Sequence, residues 1–507
     1  MTASTATEAP ETDPGPAERR YTPFIDGARV AAREGAELLQ LENPATLDPI
    51  GVVQAASAEE VDAAVTGAAQ AQRAWWAMDP AERTQRLTRW AALLVDAAEE
   101  LGALDVEAVG RVRREAVGDV VKSTGQIEYW AHEGPQLFRR SERSHVADHL
   151  FLTCPEPVGV CALLLPGNVP SRMLLAHAAV ALGSGNAVVA KPSDLSPQSA
   201  LRIAELALAA GMPPGLFNVV PGGAATGAAL VGHPGVGGLS FTGSTATGRH
   251  VATAAAARFA KAALELGGKS PQMVFPDADL GAACEAIIWS FCSNAGQICT
   301  AGTRALVHAD VYDEVVDRLA DLVRRVRIGD PMDDATHVGP LASRRGFEKV
   351  AAMVERGKQH ARLVAGGERV GDLPGYFFQP TIFADVAPSA ELFQEEVFGP
   401  VLSVTPFRDE DHAVALANDA QYALASNVWT ADLRRALRIA EQIDAGTVWC
   451  GTSRLGDPHM PLRAAQKSGG SHYRGLVDVF TREKLVAVSM RDEDRGPHWA
   501  LATERAE

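Results

Sequence analysis

No apolar run in this 507-residue chain is long enough to span a bilayer; the longest, Met173 to Ala190, is broken by His177, Gly183, Ser184, Gly185 and Asn186. Cysteine is scarce. The six residues Cys154, Cys161, Cys284, Cys292, Cys299 and Cys450 are irregularly spaced and contain no CxxC pair. That argues against a disulfide framework and a zinc site, so no metal is expected, and it fits a reducing compartment. Positive charge is also short: Lys+Arg 47 against Asp+Glu 63 gives −16. With no basic stretch interleaved with aromatics, nucleic acid is not an expected partner, and neither is a membrane. Residues Met1 to Arg20 are rich in Thr, Ala, Glu and Pro and lack the apolar segment of an export signal, so they read as a disordered tail on a cytoplasmic protein.

The remainder is ordinary globular composition, 47% hydrophobic and 22% charged, enough for two or three packed domains. Asp26-Gly27 and Asn43-Pro44 mark turns, and Ser57-Ala-Glu-Glu60 is a capping box opening the first of several amphipathic helices that run past Leu101. Between Gly134 and Pro157 the pattern becomes alternating, with His145, Ala147, His149, Phe151 and Thr153 on one face and Val146, Leu150 and Leu152 on the other. Alternation with two usable faces predicts a projecting strand that needs a partner. Val158 to Leu165 and Ala187 to Ala190 are apolar runs ending in turns, Pro166-Gly-Asn-Val-Pro170 and Lys191-Pro-Ser-Asp194. Gly215 to Gly223 and Gly238 to Gly248 repeat the pattern, which is that of a parallel α/β sheet with its ligand crevice beyond the strands' carboxyl ends. Gly243, Ser244 and Thr245 stand between a strand and an alanine-rich helix, where amides and a hydroxyl suit a pyrophosphate; an ordinary capped turn reads equally well.

Two short stretches carry the chemistry. Phe291 to Arg304 holds Cys299 among small residues between Gly296 and Gly302, and Glu265-Leu-Gly-Gly-Lys269 places one carboxylate between apolar neighbours. A lone cysteine is more often a buried structural thiol than a nucleophile. A carboxylate in apolar surroundings has its pKa raised and suits a base, which gives Cys299 a candidate activator.

Glu265-Leu-Gly-Gly-Lys269 followed by Gly296-Gln-Ile-Cys299, with Glu265 and Cys299 34 residues apart (299 − 265), resembles the paired signature of the NAD(P)-dependent aldehyde dehydrogenase superfamily. The likeness extends over about Tyr21 to Val488. It implies an α/β fold with a Rossmann-type cofactor domain (21–136 and 156–266), an α/β catalytic domain (267–466) and a small β oligomerisation flap (137–155 and 478–491), between tails at 1–20 and 492–507. In the flap the Phe480 to Met490 segment resembles the companion of the projecting strand, which implies a homodimer or homotetramer.

The resemblance also assigns roles. Cys299 would attack the aldehyde, Glu265 would act as general base and activate the water that hydrolyses the thioester, and Asn168 with the Cys299 amide would hold the oxyanion. NAD, with NADP possible, would be held by Lys191, Asp194, Gly243, Ser244, Gly248, Leu266, Glu396 and Phe398. Departures from the family pattern fall at Gly167, at Asp194 in place of a longer Glu, and at Pro461 to Gly469 in place of a glycine-rich segment. Around the aldehyde tunnel, bulky residues are replaced by Val169, Ala176, Ser293, Gly456 and Leu462, with Trp289 as a remaining wall, so a bulky, largely apolar aldehyde, aromatic or terpenoid-like, is expected. The competing readings are a semialdehyde whose carboxylate is held by Arg172, Arg454 or Arg463, a CoA-acylating enzyme, which the presence of Glu265 disfavours, and a non-catalytic relative of the same fold.

Overall fold

The computed structural model describes residues 15–137, 146, 148–453, 464–470 and 473–490. Its core is two seven-stranded sheets. The layer over the first sheet begins with the helix Ala58–Ala77, opened by the capping box: the Ser57 hydroxyl accepts from the Glu60 amide at 3.2 Å and the Glu60 carboxylate accepts from the Ser57 amide at 2.7 Å. Helices Pro80–Asp96, Ala98–Val109 and Arg113–Leu137 follow, burying Leu87, Trp90, Leu94, Leu101, Val120 and Ile127 against the sheet. Each such aliphatic side chain contributes roughly 1.5–3 kcal/mol on burial.

The fourth of these helices runs through Pro135 to Leu137, beyond the point where alternation was expected to take over. Proline removes the amide that would bond Ala131, four residues earlier. The Ala131 carbonyl instead accepts from the Thr84 hydroxyl at 2.7 Å, so the last turn persists. Among the described residues the projecting strand is His149–Pro157, and it pairs antiparallel with Thr481–Ser489 from Thr481↔Pro157 to Ser489↔His149. His145 and Ala147 lie outside the described residues. Arg20, assigned to the tail, is in a strand opposite Val52.

In the first sheet the strands run Lys261–Glu265, Gly238–Thr242, Val160–Leu164, Ala187–Lys191, Phe217–Val219, Phe24–Ile25 and Ala28–Arg29, the first five mutually parallel. The chain starts at Val160–Leu164, builds outward through Ala187–Lys191 to Phe217–Val219, then crosses back to lay Gly238–Thr242 on the other side of its starting strand. Between those two strands the direction of winding reverses, and such a point opens a crevice at the carboxyl ends. Register puts Lys191, Leu164, Phe241 and Leu264 in one row there, with Glu265 one residue further along, opposite Thr242.

The chain passes from this sheet to the second within Leu266–Ser270. There the order is Arg362–Ala365, Thr381–Ala384, Val401–Phe407, Arg304–His308, Pro271–Val274, Ala425–Trp429 and Thr447–Cys450, parallel except at Arg362–Ala365. Arg304–His308 is entered from the Cys299 loop. The second sheet thus offers its amino-terminal edge to the site while the first offers its carboxyl edge. Among the described residues no helix is long and apolar enough to cross a membrane.

Candidate active site

The loop before Cys299 is strained. Asn294 and Ala295 both have φ 52°, and Gly296 follows at φ 72°. Left-handed backbone costs a non-glycine residue roughly 1–2 kcal/mol, so the surroundings must hold it. They do so through amides: Asn294 Nδ2 donates to the Asn168 carbonyl at 2.9 Å and to the Gln297 carbonyl at 3.2 Å, Gln297 Nε2 donates back to the Asn294 carbonyl at 3.0 Å, and Gln297 Oε1 accepts from the Ala342 amide at 2.9 Å. Asn168 joins them, its Nδ2 donating to the Gln297 carbonyl at 2.7 Å. A carboxamide carries two N–H groups, so this bond orients Asn168 beside the cysteine loop and leaves its second hydrogen as a donor.

Gly268 stands against Cys299 so closely that a Cβ there would meet the Cys299 carbonyl oxygen at 2.2 Å. The neighbouring turn also holds Glu396, whose Oε1 accepts from the Gly268 amide at 3.1 Å. Burial pushes the Cys299 thiol up to about 12, with the charges of Glu265 and Glu396 adding to the effect. Burial also lifts the Glu265 carboxyl well above the usual carboxylate range, and that of Glu396 upward. Both shifts favour the protonated forms, so each group must give up a proton before it can act as nucleophile or base.

Other predicted residues fall as follows. Lys191 ends its strand and donates to the Pro192 carbonyl at 3.0 Å; burial lowers its pKa against the opposing pull of Asp194, which is exposed beside it. The Gly243 amide bonds the Glu265 carbonyl at 3.0 Å. The Ser244 hydroxyl, expected to face a pyrophosphate, is engaged in its own helix: it caps Thr245–Ala256 by accepting from the Thr247 amide at 3.3 Å and donates to the Thr247 hydroxyl at 3.0 Å. Phe398 is held in the left-handed region at φ 58°, just beyond Glu396.

Of the tunnel residues, Ser293 is buried with an unpartnered hydroxyl, Val169 precedes the helix Pro170–Gly183, and Ala176 is buried within that helix. Trp289 is 46% exposed on the helix Leu280–Cys292. Arg172 bonds Asp119 at 3.2 Å. Arg454, Gly456, Leu462 and Arg463 lie outside the described residues.

The crevice fits a dinucleotide. The Thr242 hydroxyl at its floor is buried without a partner. At Gly248 a Cβ would come within 2.5 Å of Leu266 Cδ2, so glycine lets the Thr245–Ala256 helix lie down on Leu266. The first amides of that helix have no acceptor within it, and an anion placed at such an end is stabilised.

Sequence reasoning missed Asn294 and Gln297, which shape the loop, and Arg304. The last is buried and donates to the carbonyls of Lys269, Leu416, Ala417 and Asp419. An arginine at the mouth of an apolar strand was the available signal. All six cysteines are free.

The family model for the aldehyde dehydrogenase family matches residues 30–486. The hydroxyisobutyraldehyde dehydrogenase of Mycolicibacterium austroafricanum is 38% identical over 489 residues, covering 94% of this chain and 96% of the relative. The betaine aldehyde dehydrogenase of Cereibacter sphaeroides is 40% identical over 475 residues, covering 93% and 98%. The crystal structure of the NAD-dependent aldehyde dehydrogenase from Sinorhizobium meliloti superposes with a TM-score of 0.91 at 36% identity, covering 95% of this chain and 97% of that one.

Proposed function

The chain belongs to the aldehyde dehydrogenase family, an enzyme oxidising aldehydes with NAD, and on that premise we propose that Cys299 is its nucleophile, Glu265 its general base and Asn168 its oxyanion donor. The observation that carries this reading is the 2.7 Å bond from Asn168 to the Gln297 carbonyl, which sets a carboxamide donor beside the loop that presents Cys299.

The Cys299 thiol gives its proton to water, a transfer that an ionised Glu265 speeds, and its sulfur attacks the carbonyl carbon. The resulting oxyanion is held by the second N–H of Asn168 and the Cys299 amide, and one such donor is worth roughly 10²- to 10³-fold in rate. NAD, when bound, supplies the hydride acceptor that takes the adduct to a thioester. Lys191, Asp194, the start of the Thr245 helix, Leu266, Glu396 and Phe398 would hold it; the Asp194 carboxylate beside Lys191 disfavours a 2′-phosphate, which supports NAD over NADP. Glu265, once ionised, takes a proton from water as that water attacks the thioester, and the Cys299 sulfur leaves as the acid forms.

For the substrate we propose a bulky, largely apolar aldehyde. Valine at 169, alanine at 176 and serine at 293 leave room, and Arg172 is tied to Asp119, which weakens the case for a carboxylate-bearing semialdehyde. The relative named for hydroxyisobutyraldehyde favours a second reading, a short branched aldehyde. NADH formation across a panel separates them: kcat/KM highest for benzaldehyde-sized or larger substrates supports the first, and highest for short branched aldehydes or succinic semialdehyde overturns it.

We also propose a homodimer or homotetramer assembled through the His149–Pro157 and Thr481–Ser489 pair. Among the described residues that sheet has only these two strands, with Leu485 exposed on it.

A further inference from the structure

The helix Pro170–Gly183 starts two residues after Asn168, and its start is unusual. Val169 at the cap position offers no side-chain acceptor, and Pro170 follows in the first turn with no N–H of its own. The first amide needing an acceptor is therefore Ser171. It finds one in a residue far away in sequence: Ser171 N donates to Asp105 Oδ2 at 3.2 Å, from the helix Ala98–Val109. Asp105 is 2% exposed. Burial lifts its carboxyl to about 6, while the hydroxyls of Ser199 and Ser171, the Ser171 amide and the Arg111 guanidinium act to lower it.

A second carboxylate holds the next residue. Arg172 bonds Asp119 at 3.2 Å, and Asp119, 7% exposed on the helix Arg113–Leu137, is also bonded by Arg111. Two carboxylates on different helices thus grip consecutive residues of the first turn, and the buried Arg111, which bonds Asp119, acts through its charge on Asp105 as well. A carboxylate at a helix start is also favoured by the positive end of the helix dipole. Upstream, the Leu165 amide bonds the Lys191 carbonyl at 3.0 Å, and the Asn168 carbonyl accepts from Asn294. The turn that carries Asn168 is fixed from the sheet on one side and from Asp105 on the other.

We propose that Asp105 is a positioning residue for the oxyanion donor: as a cap supplied from another helix it sets the Asn168–Val169 turn, and so the placing of the Asn168 amide. This rests on the reading of Asn168 as that donor. Asp105 touches neither substrate nor cofactor, so its loss acts on the chemical step and not on binding.

The test is a double-mutant cycle on the full-length protein with Asp105→Asn and Asn168→Ala, read as the single-turnover rate of NADH formation, with NAD binding followed by fluorescence titration. Asp105→Asn keeps an acceptor oxygen and the shape while removing the charge, so it serves where Asp105→Ala does not fold. The expected result is a fall of about tenfold in the Asp105→Asn rate, an unchanged KM for aldehyde and Kd for NAD, partial rescue by Asp105→Glu, and no added loss when Asn168 is already alanine, since coupled residues are non-additive. If Asn168→Ala turns over as fast as wild type, the oxyanion reading falls and takes this inference with it. If Asn168→Ala is slow and Asp105→Asn multiplies that loss in full, or if Asp105→Asn changes only binding, the inference alone is overturned.

Discussion

Gly268 and Cys299 touch through their backbones: the position of a Cβ on Gly268 lies 2.2 Å from the Cys299 carbonyl oxygen and 3.3 Å from its carbonyl carbon. Two stretches far apart in sequence are thereby locked together, and the lock admits no side chain. Gly268→Ala must displace the Cys299 peptide, and a displacement of about 1 Å in a reacting group can cost on the order of 10²-fold. We expect kcat to fall by about that factor with the protein folded and NAD affinity within about threefold of wild type. Wild-type kcat in this variant would show that the Cys299 backbone is not held by the contact.

The buried, raised Glu265 carboxyl gives a pH signature. Its pKa in the folded protein lies above its ordinary value near 4.5, so the folded state retains a proton that the unfolded chain has lost. That contribution is fully present below the unfolded value and is lost as pH rises towards the folded one. Glu265→Gln removes the slope, so its melting temperature relative to wild type should climb as pH rises above the ordinary carboxylate range; a difference that stays flat or reverses would contradict the assignment. With the Cys299 thiol pushed up to about 12, iodoacetamide labelling of the resting enzyme should still be accelerating at pH 9.

Arg304 is a structural prediction. Its guanidinium donates to four backbone carbonyls and lies over the Phe393 ring at 4.7 Å. Arg304→Met takes this donor from the buried carbonyls of Lys269, Leu416 and Ala417, each worth about 1–3 kcal/mol, while the Asp419 carbonyl keeps Gln394 Nε2 at 3.1 Å. Chemical denaturation should show a loss of at least about 3 kcal/mol, and a loss below about 1 kcal/mol would mean that the carbonyls find other partners.

Much of this was legible in the sequence, for reasons that are local. Ser57 and Glu60 form their capping box because both halves of that interaction lie within four residues. The apolar runs at Val160–Leu164 and Ala187–Lys191 are strands because only a sheet covered on both faces accepts such runs, and Glu265 reads as a buried base because its neighbours are apolar. What escaped was set by contacts distant in sequence. The helical turn at Pro135 depends on Thr84, the cysteine loop on Gln297 and Ala342, and the start of the Pro170 helix on Asp105. The cap that Ser244 makes on its own helix was one of two readings its position allowed, because one hydroxyl can serve a ligand or a helix and spacing alone does not say which.

Removal of the last strand tests assembly. A chain ending at Arg482 loses most of Thr481–Ser489 and leaves His149–Pro157 without its partner. Light scattering should then report monomer or aggregate in place of a dimer or tetramer. A fully active monomer of the intact chain at micromolar concentration would contradict the proposed assembly.

The central claim is covalent chemistry on Cys299, released by Glu265. The most direct measurement is intact and peptide mass spectrometry of the Glu265→Gln protein quenched within seconds of mixing with NAD and a turned-over aldehyde. The account predicts an acyl adduct on the peptide containing Cys299 that accumulates to near one per chain, is transient in wild type and is absent from Cys299→Ala, which has no turnover. An adduct on another residue, or a Cys299→Ala protein that turns over near the wild-type rate, would contradict it.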